Sequence, residues 1–200
     1  MTTSLTTGVT TGVTTGPTTG TATPFRVAFI HAPDPVYADT QNYGAKFMPV
    51  WAYTLGAHIP GDGRFALSLT DCRFEPEAGI GDADVFLFSG INQDFGNMER
   101  VRSELKRRFP HAKSMIGGPI CWSFEQAGTL EQLENFDHAF VGDGEEEIER
   151  LLEALRTGVT LEHIIKSPRR FPINEARPFY RPMLDSTVGR YYGAVLEVSR

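Results

Sequence analysis

Ser114-Met115-Ile116-Gly117-Gly118-Pro119 is a short apolar strand that runs straight into paired glycines. Downstream, His138-Ala139-Phe140-Val141 does the same, ending in Gly142-Asp143-Gly144-Glu145. Two neighbouring strands that both end in glycine mark a surface where backbone must come close to something. In an open parallel sheet that surface is the carboxyl edge, where ligands bind. The rest of the chain reads as building that sheet and its edge.

Upstream, Phe25-Arg26-Val27-Ala28-Phe29-Ile30-His31 is almost continuously apolar, as expected of a strand buried on both faces, and it stops at Ala32-Pro33-Asp34-Pro35. A loop follows, and Gly44 to His58 has helical spacing, with Pro49 marking where the regular helix begins. Phe65 to Thr70 is a second strand, ending in Asp71-Cys72. Arg73 to Ala83, with Pro76, Gly79 and Gly81, is a loop or a broken helix. Asp84-Val85-Phe86-Leu87-Phe88 is a third strand, ending at Ser89-Gly90. A helix then runs to about Phe109 with Met98, Val101, Leu105 and Phe109 inward. The fourth crossover, Ser123 to Asn135, is weakly helical, and Glu145–Arg156 is amphipathic. Strands alternating with helices give right-handed βαβ units. The expected fold is a flavodoxin-like three-layer α/β/α domain with a five-stranded parallel sheet over residues 24–157. Residues 1–23 are Thr/Gly-rich low complexity and read as a disordered tail. Residues 158–200 read as a Pro- and Arg-rich linker followed by one more strand, Tyr191 to Val198.

Composition narrows the function. The chain has 200 residues, 40 % of them apolar, with a formal net charge of −6. Its densest basic run is Lys106-Arg107-Arg108, so no nucleic-acid partner is expected. No apolar run reaches the ~20 residues of a membrane span, and the start lacks a charged-then-apolar leader. Cys72 and Cys121 lie far apart, without zinc or cluster spacing, and read as free thiols in a reducing cytoplasm. No histidines pair at metal-ligand spacing, and no serine elbow, Walker loop or glycine fingerprint follows the first strand.

Each motif has a functional and a structural reading. Gly117-Gly118 serves a flat-lying ligand or a tight turn that needs positive φ. Gly142-Asp143-Gly144-Glu145 opens a helix. It borders a ligand, or Asp143 is an N-cap with Glu145 to Glu147 complementing the dipole. Successive carboxylates there favour a neutral ligand edge over a phosphate. Ser89 donates to a ligand or stabilises a turn. Asp39-Thr40-Gln41-Asn42-Tyr43-Gly44 leads into the first helix and contains an Asx-type cap. His31 is the one histidine at a strand's carboxyl end, and is kept as a pocket residue.

The ordered set of Ser89 after the third strand, Met115-Ile116-Gly117-Gly118-Pro119 after the fourth and Val141-Gly142-Asp143-Gly144-Glu145 after the fifth resembles the cobalamin-binding domain of cobalamin-dependent radical S-adenosylmethionine enzymes. The resemblance covers Phe25 to Arg156. It implies that Ser89, Gly90, Gly117, Gly118 and Pro119 line the slot for the cofactor's nucleotide tail, bordered by Gly142, Gly144 and Glu145. Related cobalamin domains carry Asp-x-His-x-x-Gly before the first helix. Here Gln41 stands at the histidine position, and an amide is a poor cobalt ligand. The resemblance therefore implies base-off cobalamin with no histidine below, and Gln41, Asn42, Tyr43 and Gly44 beneath the cobalt. It also implies a covalently continuous radical domain, most plausibly a methyltransferase, holding a 4Fe-4S cluster and S-adenosylmethionine. The Cys-x-x-x-Cys-x-x-Cys motif of that domain is not in this sequence, so no catalytic residue is expected here. The rival readings are a flavin- or nucleotide-binding module of the same topology and a receiver-like signalling domain. Ala32-Pro33-Asp34-Pro35 is too stiff and acidic for a phosphate loop, and a receiver needs an acceptor Asp where Ser89 stands.

Overall fold

The structure, a computed structural model, describes residues 23–36 and 46–193. The elements in chain order are β1 (Phe25–His31), α1 (Val50–Ala57), β2 (Phe65–Asp71), β3 (Val85–Ser89), α2 (Phe95–Arg108) and β4 (Lys113–Gly117). They continue with α3 (Pro119–Ala127), β5 (His138–Val141), α4 (Ile148–Arg156), β6 (Ile164–Lys166) and α5 (Arg181–Thr187). The strands form one six-stranded sheet in the order β2-β1-β3-β4-β5-β6. Every pairing is parallel.

Period-two alternation splits the apolar strands between two cores. Ile30, Phe88 and Ile116 face Met98 and Val101 of α2 and Ile120 of α3. Phe29, Leu87 and Met115 face Tyr53 of α1, Leu151 of α4 and Met183 of α5. All five residues of β3 are buried, as befits a strand covered on both sides. Between β2 and β3 the chain crosses over β1 without an α-helix. Ile80, nearly inaccessible, plugs that gap in the α2-side core. The guanidinium of Arg108 donates to the carbonyls of Glu77 (2.9 Å), Ala78 (3.2 Å) and Ile80 (2.6 Å), which satisfies backbone that a helix would have paired internally.

Four sequence expectations are corrected. The sheet has six strands, because Ile164–Lys166, inside the expected linker, pairs with β5. Its hydrogen bonds continue on both sides, from Ala139 N to His163 O (2.7 Å) and from Ser167 N to Val141 O (2.9 Å). The following segment returns over α1. Met183 is buried there, and the Tyr53 and Thr187 hydroxyls are 2.7 Å apart. The regular part of the first helix begins at Val50 after Pro49, as the sequence indicated, but Phe47, given helical spacing there, instead forms an isolated parallel bridge with Gly193. The fourth crossover helix starts at Pro119, whose missing N–H suits a first helical position. The expected last strand lies outside the described residues beyond Gly193; Tyr191 and Tyr192 are irregular.

Candidate functional site

The strand register assembles a row at the carboxyl rim. Asp71 pairs with His31, Ile30 with Phe88 (so His31 sits beside Ser89), and Ser89 with Gly117. Because Phe29, Leu69, Leu87 and Met115 all face the α1/α4/α5 side, the residues two further along do so too. Asp71, His31, Ser89 and Gly117 therefore stand side by side on one face, across four adjacent strands.

Asp71 is fully buried. Arg73 grips it with Nε on Oδ1 (2.9 Å) and Nη2 on Oδ2 (2.7 Å), and the Tyr191 hydroxyl donates to Oδ2 (3.1 Å). Burial pushes the carboxyl up, but the Arg73 hydrogen bond, with the charges of His31 and Arg73, outweighs it and holds Asp71 below the usual range. His31 moves the other way. Burial drives it down to about 4, against the pull of the Asp71 carboxylate and with the push of Arg73. It is thus a neutral imidazole at pH 7, and its Nδ1 is buried with no hydrogen-bond partner among the described residues. Trp51, in the first turn of α1, lays its ring on Phe29 (centroids 5.6 Å apart), and its Nε1 is likewise buried and unpartnered among the described residues.

An Asp, a His and a Ser on adjoining strands are the ingredients of a hydrolase triad, but they are not wired as one. The Asp71 carboxylate is taken by Arg73 and Tyr191, and His31 Nδ1 bonds neither neighbour. Burial pushes the thiols of Cys72 and Cys121 up to about 12, so neither is a ready nucleophile. No group of three or more metal-ligating side chains occurs among the described residues.

Ser89 is 8 % exposed. A Cβ placed on Gly118 would lie 2.2 Å from the Ser89 hydroxyl oxygen, and Gly118 has φ +83°. Gly118 therefore lets the turn and the serine coexist; the space beside it is filled by the protein. Gly117 differs. A Cβ there would make ordinary van der Waals contact with the Phe140 carbonyl at 3.7 Å, so the position has room for a small side chain. Gly90 is held against α2, where a Cβ would meet Asp94 Oδ2 at 2.9 Å, and its carbonyl accepts from Ile120 N (3.2 Å) at the start of α3. Asp94 also bridges the β1 and β3 loops, accepting from Asp34 N (3.0 Å) and Ile91 N (3.1 Å). On the α2 side, the crevice between β1 and β3 is thus closed by the protein's own side chains.

One strand further, Gly142 has φ +113°, and a Cβ there would lie 2.7 Å from Ser167 Cβ. Asp143 is not the cap of α4. The helix starts at Ile148, and the Asp143 carboxylate accepts from Phe171 N (2.8 Å), tying down the segment after β6. Gly144 abuts Leu55 of α1, 3.2 Å from a placed Cβ, and Glu145 is buried behind it. Between the β3–α2 turn and α3 an open depression of about 580 Å³ is lined by Ile91, Asn92, Gln93, Pro119 and Ser123.

The rim therefore brings Ser89, Gly117 and Gly118 together and sets Gly90 and Pro119 beside them, with Gly142, Gly144 and Glu145 on the adjoining turn. Gln41, Asn42, Tyr43 and Gly44 lie outside the described residues. Sequence reasoning missed Trp51 and the Asp71–Arg73 pair. The available signal was parity: each strand's last residue shares a face with its apolar residue two before. No protein-family model matches the chain, and no curated protein matches its sequence. No helix among the described residues is long and apolar enough to cross a membrane.

Proposed function

We propose that this chain is the cobalamin-binding module of a radical S-adenosylmethionine enzyme, most plausibly a methyltransferase. One observation carries the reading. Two buried nitrogens without a hydrogen-bond partner among the described residues, His31 Nδ1 on the strand beside Ser89 and Trp51 Nε1 on the ring that packs against Phe29, lie on the face where the ordered serine and glycine motifs fall. An unmet buried polar group costs about 1–3 kcal/mol. A ligand arm entering between α1 and the sheet relieves that cost, which fits a cofactor with a slim polar tail.

In this reading Ser89 and Gly117 line the tail slot, and Gly118 holds the serine in place. The Gly142–Glu145 turn borders the slot, and the stretch from Gln41 to Gly44, outside the described residues, contains no histidine to ligate cobalt. When bound, cobalamin supplies a cobalt that carries a methyl group; the protein's part is to bind and orient it. The cluster and S-adenosylmethionine belong to a covalently continuous catalytic domain. The test is to mix the purified chain with hydroxocobalamin, desalt it and record the visible spectrum. Retained pigment with a base-off band pattern supports the reading, whereas retained flavin or a colourless protein contradicts it.

A further inference from the structure

The two edges of the sheet differ. On the β6 edge, Ala139 N donates to His163 O and Ser167 N to Val141 O, so only Ile164 and Lys166 turn their backbone outward, and Pro168 follows. A short strand with a lysine and a proline is a guarded edge. β2, at the other edge, has seven residues and carries neither charge nor proline from Phe65 to Thr70. Phe25 N donates to Arg64 O (2.9 Å) and Cys72 N to His31 O (2.9 Å), which fixes the phase of its pairing with β1. Ala66, Ser68 and Thr70 therefore bond β1, and Phe65, Leu67 and Leu69 turn their N–H and C=O groups away from it. No other strand pairs with that row among the described residues. Ala66 and Ser68 are exposed on the α2-side face, where the chain crosses from β2 to β3 without an α-helix, and Leu67 and Leu69 are half-buried on the other face.

The outward row is complementary to itself. With a second copy turned antiparallel about Ser68, Leu67 and the second copy's Leu69 form a hydrogen-bonded pair, as do Leu69 and the second copy's Leu67. Ser68 then faces Ser68, and Ala66 faces Thr70, as the closer, non-hydrogen-bonded pairs. Leucine meets leucine on one face and small side chains meet on the other. Arg64 falls opposite Cys72, away from the second Arg64. We infer that the β2 edge is a homodimer interface, which joins two copies of this chain across a two-fold axis at Ser68 into one continuous sheet. Because the pairing uses the same edge on both copies and β6 is guarded, the assembly closes at two and does not grow. The interface stands whatever ligand the carboxyl rim takes.

Sedimentation velocity of the purified chain in the micromolar range is expected to give a particle of twice the 22.2 kDa chain mass. Ser68→Asp sets two carboxylates face to face and should return the monomer, with its circular-dichroism spectrum unchanged because residue 68 is exposed. Mild oxidation of Ser68→Cys should cross-link the dimer, since Cα atoms about 4.5 Å apart lie within disulfide reach. Ala66→Cys should not cross-link, because the two copies of residue 66 would stand ~14 Å apart at ~3.4 Å per residue. The unsubstituted chain should not cross-link either, because Cys72 of one copy lies further still from Cys72 of the other. A monomer throughout that range, open-ended association, a dimer that survives Ser68→Asp, or Ser68→Cys cross-linking no better than Ala66→Cys overturns the inference.

Discussion

The Ser89 hydroxyl occupies the space that a side chain at Gly118 would need, 2.2 Å from where its Cβ would lie. A serine on β3 and a glycine after β4 are thus one packing unit, and the two glycines of the pair have different tasks. Gly118 serves the turn, while Gly117 has room for a small side chain.

Substitutions at the two positions should separate these tasks. Gly118→Ala forces a side chain into φ +83° and displaces the serine, so it is expected to cost about 1–3 kcal/mol in urea unfolding. Adding Ser89→Ala should recover the steric share but not the backbone share. Gly117→Ala meets nothing closer than 3.7 Å and should stay within about 0.5 kcal/mol of the unsubstituted chain. A larger loss at 117 than at 118 would contradict this division.

Acid should weaken the fold in a specific window. His31 is held near 4 in the folded chain against an ordinary 6.5, mainly by burial. As pH falls from 6.5 towards 4, the unfolded chain takes up a proton that the folded chain refuses, so stability drops, by about 3 kcal/mol from this residue. His58, also pushed down chiefly by burial, adds loss of the same sign. Asp71, held below its ordinary 3.8, contributes loss only beneath that value. Urea midpoints measured across the window should fall with pH, and His31→Leu should flatten the slope. A slope unaltered by that substitution would place the titration elsewhere.

The Asp71 carboxylate depends on Arg73. Removing the guanidinium leaves a buried charge without its partner, so Arg73→Ala is expected to destabilise by about 3–5 kcal/mol. Tyr191→Phe removes the hydroxyl's hydrogen bond to Asp71 and leaves the Arg73 pair in place, so it should cost about 1 kcal/mol. Equal effects would mean that the arginine does not neutralise the carboxylate.

The segment after β6 should behave as part of the domain. Met183 is buried against α1, so Met183→Ala should cost about 2–5 kcal/mol. In a detached linker the same change would leave the unfolding curve unmoved.

The sequence made some of this legible and hid the rest for physical reasons. β1, β3 and β4 are apolar on both faces, a signal strong enough to give strand type and the parallel α/β class without further help. β6 is three residues long, Ile164–Lys166, and sits in a Pro- and Arg-rich stretch, so it has no period of its own and becomes a strand only by pairing with β5. The start of α3 was readable from Pro119, but the paired glycines drew the reading towards a longer loop. The motifs at Ser89 and Gly117-Gly118 were visible as strand ends. That His31, Asp71 and Ser89 share a face with them depends on register between strands far apart in sequence, which no local pattern encodes.

The central claim is tested most directly by equilibrating the purified chain with hydroxocobalamin, desalting it and recording its visible spectrum. The account predicts stoichiometric retention with a base-off band pattern. Complete loss of colour from a folded chain would contradict it.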